Sequence, residues 1–116
     1  MIQLGEMISE FGWEIFSGHE RLEVAVTGAY ASDLLSDVMG KSAAGEVWIT
    51  MQTHRNIVAV AALKEHAAIL VVNGGRPDAE TLETAEREGV TILGTSESAF
   101  VTCGRLYKRL ERDALV

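Results

Sequence analysis

Apolar positions at Leu4, Met7, Ile8 and Phe11 recur with helical spacing, and Gly12 follows where a left-handed cap is expected, so the pattern predicts a short amphipathic helix. Trp13, Ile15 and Phe16 form a strand-like cluster ended by Ser17-Gly18, and Glu23 to Thr27 alternates as a second strand closed by Gly28. These two either pair as a hairpin through Gly18-His19-Glu20-Arg21 or sit apart in a mixed sheet. Ser32 is placed to cap a two-turn helix with Asp33 in its first turn, Leu34, Leu35, Val38 and Met39 on one face, and Gly40 at its end.

A small, flexible stretch from Lys41 to Gly45 precedes Glu46 to Met51, which alternates as a strand. The polar turn Thr53-His54-Arg55-Asn56 then leads into an apolar helix, Ile57 to Leu63, a polar break at Lys64-Glu65-His66, and a buried strand from Ala67 to Val72 ending in Asn73-Gly74-Gly75. Pro77-Asp78 opens a helix with Ala79, Leu82 and Ala85 inside and Gly89 at its end. Val90 to Leu93 reads as a short buried strand, and Thr95-Ser96 as the cap of a last helix whose core stripe is Phe100, Cys103, Leu106, Tyr107 and Leu110.

From Glu46 onward strand and helix alternate, which predicts an α/β fold: one domain, a mostly parallel sheet of four to six strands, and helices on both faces. The segments from Asn56 and Asp78 are the expected crossovers. The core is expected over about residues 23–110, with residues 1–22 as an extension, and no internal repeat is present.

A core built from Ala, Val, Ile and Leu with few aromatics fits helices packed on a parallel sheet better than an aromatic-rich β-sandwich. Seventeen acidic against ten basic side chains give a net charge of -7, which argues against nucleic acid or an anionic membrane as a partner. Lys108, Arg109 and Arg112 cluster late in the last helix, where cations complement the helix dipole. The single cysteine excludes an internal disulfide framework, and the acidic, mixed start of the chain is unlike a signal peptide, so the expected location is cytoplasmic.

Catalytic patterns are missing. Gly40-Lys41-Ser42 has the tail of a phosphate-binding loop, but Leu35 stands where that motif needs glycine and the helix precedes it. His19, His54, His66 and Cys103 are scattered without ligand spacing, and no Gly-x-Ser-x-Gly turn supports a triad from Ser32, His54 and Asp78. Neither a metal nor another cofactor is expected. What remains is geometric: a parallel sheet gathers its strand C-termini on one edge, where Thr53, His54, Arg55 and Asn56, then Asn73, Gly74, Gly75 and Arg76, then Thr95 and Ser96 would meet beside helix N-termini that favour anions.

Three stretches resemble the DRTGG domain family: Tyr30 to Met39, Gln52 to Val58, and Gly74-Gly75 with Pro77-Asp78, followed by Gly89-Val90, Thr95-Ser96 and Phe100. Arg55 and Gly74-Gly75 match the family pattern, His54 stands where the family usually has an acid, and Asn73 where it often has Thr. Such domains occur alone, beside CBS domains in regulated pyrophosphatase-type proteins and within long phosphotransacetylases, and are similar to the N-terminal domain of HPr kinase/phosphorylase. The resemblance implies a non-catalytic regulatory module that forms homodimers, and the polar strand C-terminal edge adds the expectation that it senses a small anionic metabolite or nucleotide there. The alternative it leaves open is a ligand-free interaction subunit whose protein partner is redox- or hydrogenase-related, with a phosphotransfer enzyme a distant third.

Overall fold

A computed structural model describes residues 1–116. Five helices, α1 (Leu4–Phe11), α2 (Leu35–Lys41), α3 (Asn56–Lys64), α4 (Ala79–Glu88) and α5 (Ala99–Arg112), accompany five strands, β1 (Glu14–Ser17), β2 (Gly28–Ala31), β3 (Glu46–Thr50), β4 (Ala68–Val71) and β5 (Ile92–Gly94). The sheet order is β1-β5-β4-β3-β2. Strands β2 to β5 are mutually parallel, and β1 runs antiparallel against β5, with Glu14 opposite Gly94. The sheet is therefore mixed and mostly parallel, with β1 and β2 at opposite edges rather than in a hairpin.

The layers follow from connection handedness. Steps β2 to β3 to β4 to β5 all move the same way across the sheet, so right-handed crossovers place α2, α3 and α4 on one face. That face holds Val38, Trp48, Ile57, Val58, Ala61, Ile69, Val71, Ala85 and Ile92. The other is covered by α1 and α5, whose Leu4, Met7, Ile8, Leu106 and Leu110 pack on Val47, Ile49, Ala68, Leu70 and Leu93. Alternate residues of β3 and β4 serve opposite cores, which is why both strands read as unbroken apolar runs. Residues 1–22 thus supply a core helix and the edge strand.

Several boundaries differ from the pattern. Glu23 to Thr27 is not a sheet strand: its backbone bonds to the chain entering α1, through Leu4 N to Val24 O and Val26 N to Ile2 O, both 2.9 Å, and Gly28 starts β2 rather than closing a strand. Ser32 does not cap α2, which begins at Leu35 and continues through Gly40 to Lys41. The last strand is displaced to Ile92–Gly94, and α5 is capped by Ser98, whose Oγ accepts from Val101 N, rather than by Thr95-Ser96. Phe100 and Tyr107 are 88% and 57% exposed, outside the core stripe, and Ala79 is exposed at the start of α4.

Candidate functional site

The parallel strands end together at Ala31, Thr50, Val71 and Gly94, and antiparallel β1 brings Glu14 to the same edge. Chains leaving β3 and β4 both turn to the face of α3 and α4, whereas the chain leaving β5 turns to the opposite face to form α5. Adjacent loops that diverge to opposite faces open a crevice at the strand C-termini. Accordingly, a cavity of about 400 Å³ lies between Gly74-Gly75-Arg76 after β4 and Gly94-Thr95-Ser96-Glu97 at the end of β5, with Phe11, Gly12, Glu14 and Phe16 as its far wall.

The backbone of this cavity is ordered by its own hydrogen bonds. Asn73 and Gly74 take left-handed conformations, φ 64° and 73°, which asparagine and glycine tolerate. Asn73 N donates to Glu97 O at 2.8 Å and Gly74 N to Thr95 O at 2.9 Å, so the two loops are zipped together. Gly75 permits close approach, since a Cβ there would lie 3.0 Å from Val71 Cγ1 and 3.4 Å from Thr53 Cγ2. At Gly94 a Cβ would lie 2.4 Å from the Phe16 ring, which occupies that space.

Two arginines border the cavity, each beside an acid and over a phenyl ring. Arg76 donates from both terminal nitrogens to Glu14 at 3.1 Å and lies 4.8 Å from the Phe16 centroid. Arg105 donates to Glu97 at 2.6 Å and lies 5.1 Å from the Phe11 centroid. Both ion pairs are solvent-accessible, so their carboxylates can be exchanged for another anion at little cost.

The residues anticipated from the sequence divide between two places. Gly74, Gly75, Thr95 and Ser96 line the large cavity, and Asn73 joins its loops. Thr53 reaches only the back of Gly75. His54 and Arg55 line a separate hollow of about 220 Å³ with Asp78, Glu80 and Thr81, where Arg55 pairs with Glu80. The first amides of α3 are also engaged: Asn56 N donates to His54 Nδ1, Ile57 N to His54 O, and Val58 N to Arg55 O. Asp78 in that hollow has its carboxyl held below the usual range by hydrogen bonds from the Thr81 backbone and hydroxyl, with His54 and Arg55 adding to the effect.

Glu14, Phe16, Phe11 and Glu97 belong to the cavity without having been anticipated. The signal lay in the Trp13 to Phe16 cluster just after the Gly12 cap, but only the antiparallel pairing of β1 brings Glu14 to this edge. Asp33 is not a first-turn helix charge: its carboxylate accepts from Thr50 Oγ1 at 2.6 Å and Met51 N at 2.7 Å, joining the ends of β2 and β3. Asp37, one turn on, accepts from Tyr30 Oη at 2.8 Å. No three His, Cys, Asp or Glu side chains converge as a metal-binding group, and no helix is long and apolar enough to cross a membrane.

The chain is similar in structure to the CBS and DRTGG domains of the regulatory region of Clostridium perfringens pyrophosphatase, crystallised with its activator diadenosine tetraphosphate. The TM-score is 0.70 at 19% identity, over 90% of this chain and 45% of that one, so the present chain spans less than half of that regulatory region. A search of curated proteins gave no match. The DRTGG domain sequence model matches residues 8–108, from within α1 to within α5, and the chain accordingly belongs to the DRTGG domain family.

Proposed function

We propose that the protein is a non-catalytic regulatory module that senses a small anionic metabolite or nucleotide in the cavity between the β4 and β5 loops. The observation that carries this reading is a preformed crevice of about 400 Å³ at the divergence of two loops, lined by Gly74, Gly75, Thr95 and Ser96 and bordered by Arg76. A ligand anion would take the two-pronged contact of Arg76 in place of Glu14, while the Phe16 ring holds the guanidinium stem. The similar pyrophosphatase regulatory region, which binds a nucleotide activator, supports the same class of ligand.

Homodimerisation is part of the proposal. A mainly apolar groove of about 140 Å³ runs between α5 and edge strand β2, lined by Ala29, Tyr30, Ala31, Cys103, Tyr107 and Val116 among others. Phe100 and Tyr107, seven residues apart, share one flank of α5 and are both exposed. This same flank favours a second reading, a ligand-free subunit that docks a protein partner, with redox proteins the class implied by the family resemblance.

Thermal denaturation against nucleotides and acyl phosphates separates the two readings, since a ligand at about 100 times its dissociation constant stabilises the fold by about 2.7 kcal/mol. The expected result is a shift with at least one nucleotide that Arg76→Ala abolishes. No shift with any compound would favour the interaction subunit. Light scattering should give twice the 12.6 kDa chain mass, and a monomer would remove the dimer from the proposal.

A further inference from the structure

We infer that the groove beside the cavity, along the basic flank of α5, is a subsite for the phosphate chain of an extended ligand, with Lys108 and Arg112 as its free cations. The inference rests on the cavity reading above and specifies its ligand: a nucleoside polyphosphate rather than a monophosphate or a simple organic acid. The groove, about 320 Å³, is lined by Glu10, Phe11, Arg105, Lys108, Arg109 and Arg112. Phe11 also lines the large cavity, and Arg105 crosses the boundary by lying over Phe11 while bonding Glu97 of the cavity wall. The two hollows are neighbours with a shared phenyl wall.

Charge is distributed unevenly along this boundary. Six of the ten lysines and arginines are in ion pairs, with Arg109 committed to Glu10 and Asp113 and Arg105 to Glu97. Lys108 and Arg112 have no carboxylate partner, yet they sit four residues apart on the same helix and line the same groove. Complementing the helix dipole accounts for cations in the last turn, but not for a concave surface formed with α1 and carrying two of them uncommitted. The cavity itself offers one cation, Arg76, enough for a single anionic group, and its Glu14 and Glu97 suit the hydroxyl and amino donors of a nucleoside better than a run of further phosphates. Polyphosphate charge is therefore better accommodated across Phe11, on α5. The net charge of -7 over the whole chain opposes a long nucleic acid and leaves a short polyanion as the occupant.

Calorimetric titration of the intact protein with ATP, AMP, adenosine and inorganic tripolyphosphate, paired with amide NMR, tests this. Both cations are exposed, so Lys108→Gln/Arg112→Gln should fold as the parent does. ATP should bind at least about tenfold more tightly than AMP, and the double variant should bring ATP close to the AMP affinity while leaving AMP unchanged. Tripolyphosphate alone should shift amides of residues 105–112 and lose that effect in the variant. ATP affinity unaltered by the double substitution would overturn the groove assignment and leave the cavity reading intact. Tripolyphosphate acting on α5 while adenosine and AMP leave residues 94–97 unmoved would support the groove and overturn the cavity reading. Binding of an acidic peptide but not tripolyphosphate would overturn the small-polyanion assignment in favour of a protein partner, and silence from every probe would overturn both readings.

Discussion

His66 makes the stability of this fold depend on pH in a window set by its surroundings. The ring lies just before β4, 3% exposed, with its centroid 5.6 Å from that of Trp48. Burial, reinforced by the nearby Lys64 charge, pushes its pKa from 6.5 down to about 4. Ser42 Oγ lies 2.6 Å from Val38 O and donates to it, so the hydroxyl oxygen accepts from His66 Nε2 at 2.8 Å and the neutral ring carries its proton on Nε2. The unfolded chain binds a proton at this residue near pH 6.5, whereas the folded chain does not until about pH 4. Stability is therefore unaffected by this group above the window, falls as pH drops through it, and levels off below. At about 1.36 kcal/mol per pKa unit the whole loss is about 3 kcal/mol, of which about 2 kcal/mol has gone by pH 5. Asp37 and Asp78, whose folded pKa values are lowered from 3.8, lose their contributions only as pH falls below that value. Urea unfolding of the parent and His66→Gln between pH 7.5 and about 4.5 should give curves that converge as pH falls, because glutamine can donate to Ser42 without gaining a charge. Parallel curves would refute the account, as would an NMR titration placing the folded His66 pKa near 6.5.

Substitutions at four positions test the architecture around the candidate site. Gly94→Ala should destabilise by about 1–3 kcal/mol because the new methyl meets the Phe16 ring, and Phe16→Ala in the same chain should cost less than the two changes summed, as a denaturation cycle would reveal. Asp33→Ala should lower stability by about 1 kcal/mol through loss of the bonds from Thr50 and Met51, with Asp33→Asn recovering much of it; equal urea midpoints for all three chains would contradict that role. Arg55→Ala should change stability by under about 1 kcal/mol, since both partners of its pair with Glu80 are exposed, and should leave nucleotide titrations unchanged where Arg76→Ala does not. A loss of affinity in Arg55→Ala would return the site to the α3 turn.

Much of the fold could be read directly because local pattern and tertiary role agree on the order and type of the elements from Glu46 onward. The apolar runs of β3 and β4 are buried, α3 buries Ile57, Val58, Val60 and Ala61 while Leu63 at its end is exposed, and Asp78, whose carboxylate accepts from Thr81 N, caps α4 as its position implies. Before Glu46, distant partners reassign local signals. Ser32 and Asp33 have the chemistry of a helix start, yet Trp48 Nε1 donates to Ser32 O and β3 takes the Asp33 carboxylate, so the helix begins later. Val24 and Val26 point inward as strand alternation requires, but their backbone partners lie beside α1 instead of in the sheet. On α5 the stripe is centred on Thr102, Leu106 and Leu110, leaving Phe100 and Tyr107 on one flank and the cations on the other. Apolar spacing alone does not distinguish a core stripe from an adjoining interface flank.

The candidate site is partly legible in the sequence for a related reason. A parallel sheet guarantees that the loops after β3, β4 and β5 share an edge, and this brings Gly74-Gly75 and Thr95-Ser96 together. It does not determine which neighbouring loops part. The connections from β3 and β4 pass to the same face, so their loops close on each other, with Thr53 packed behind Gly75 and Arg55 turned toward Glu80. Only between β4 and β5 do the connections diverge, because α5 returns across the opposite face, and there the cavity opens. In the Thr53 to Asn56 turn the first amides of α3 are bonded within the turn, while the crevice lies one strand further along. The pairing of β1 with β5 then supplies Glu14 and Phe16 from the start of the chain, binding the wall of the cavity to the edge of the sheet. A ligand that draws Arg76 from Glu14 would loosen one of the ties between this edge strand and the β4 loop, giving occupancy a route to the outer edge of the domain.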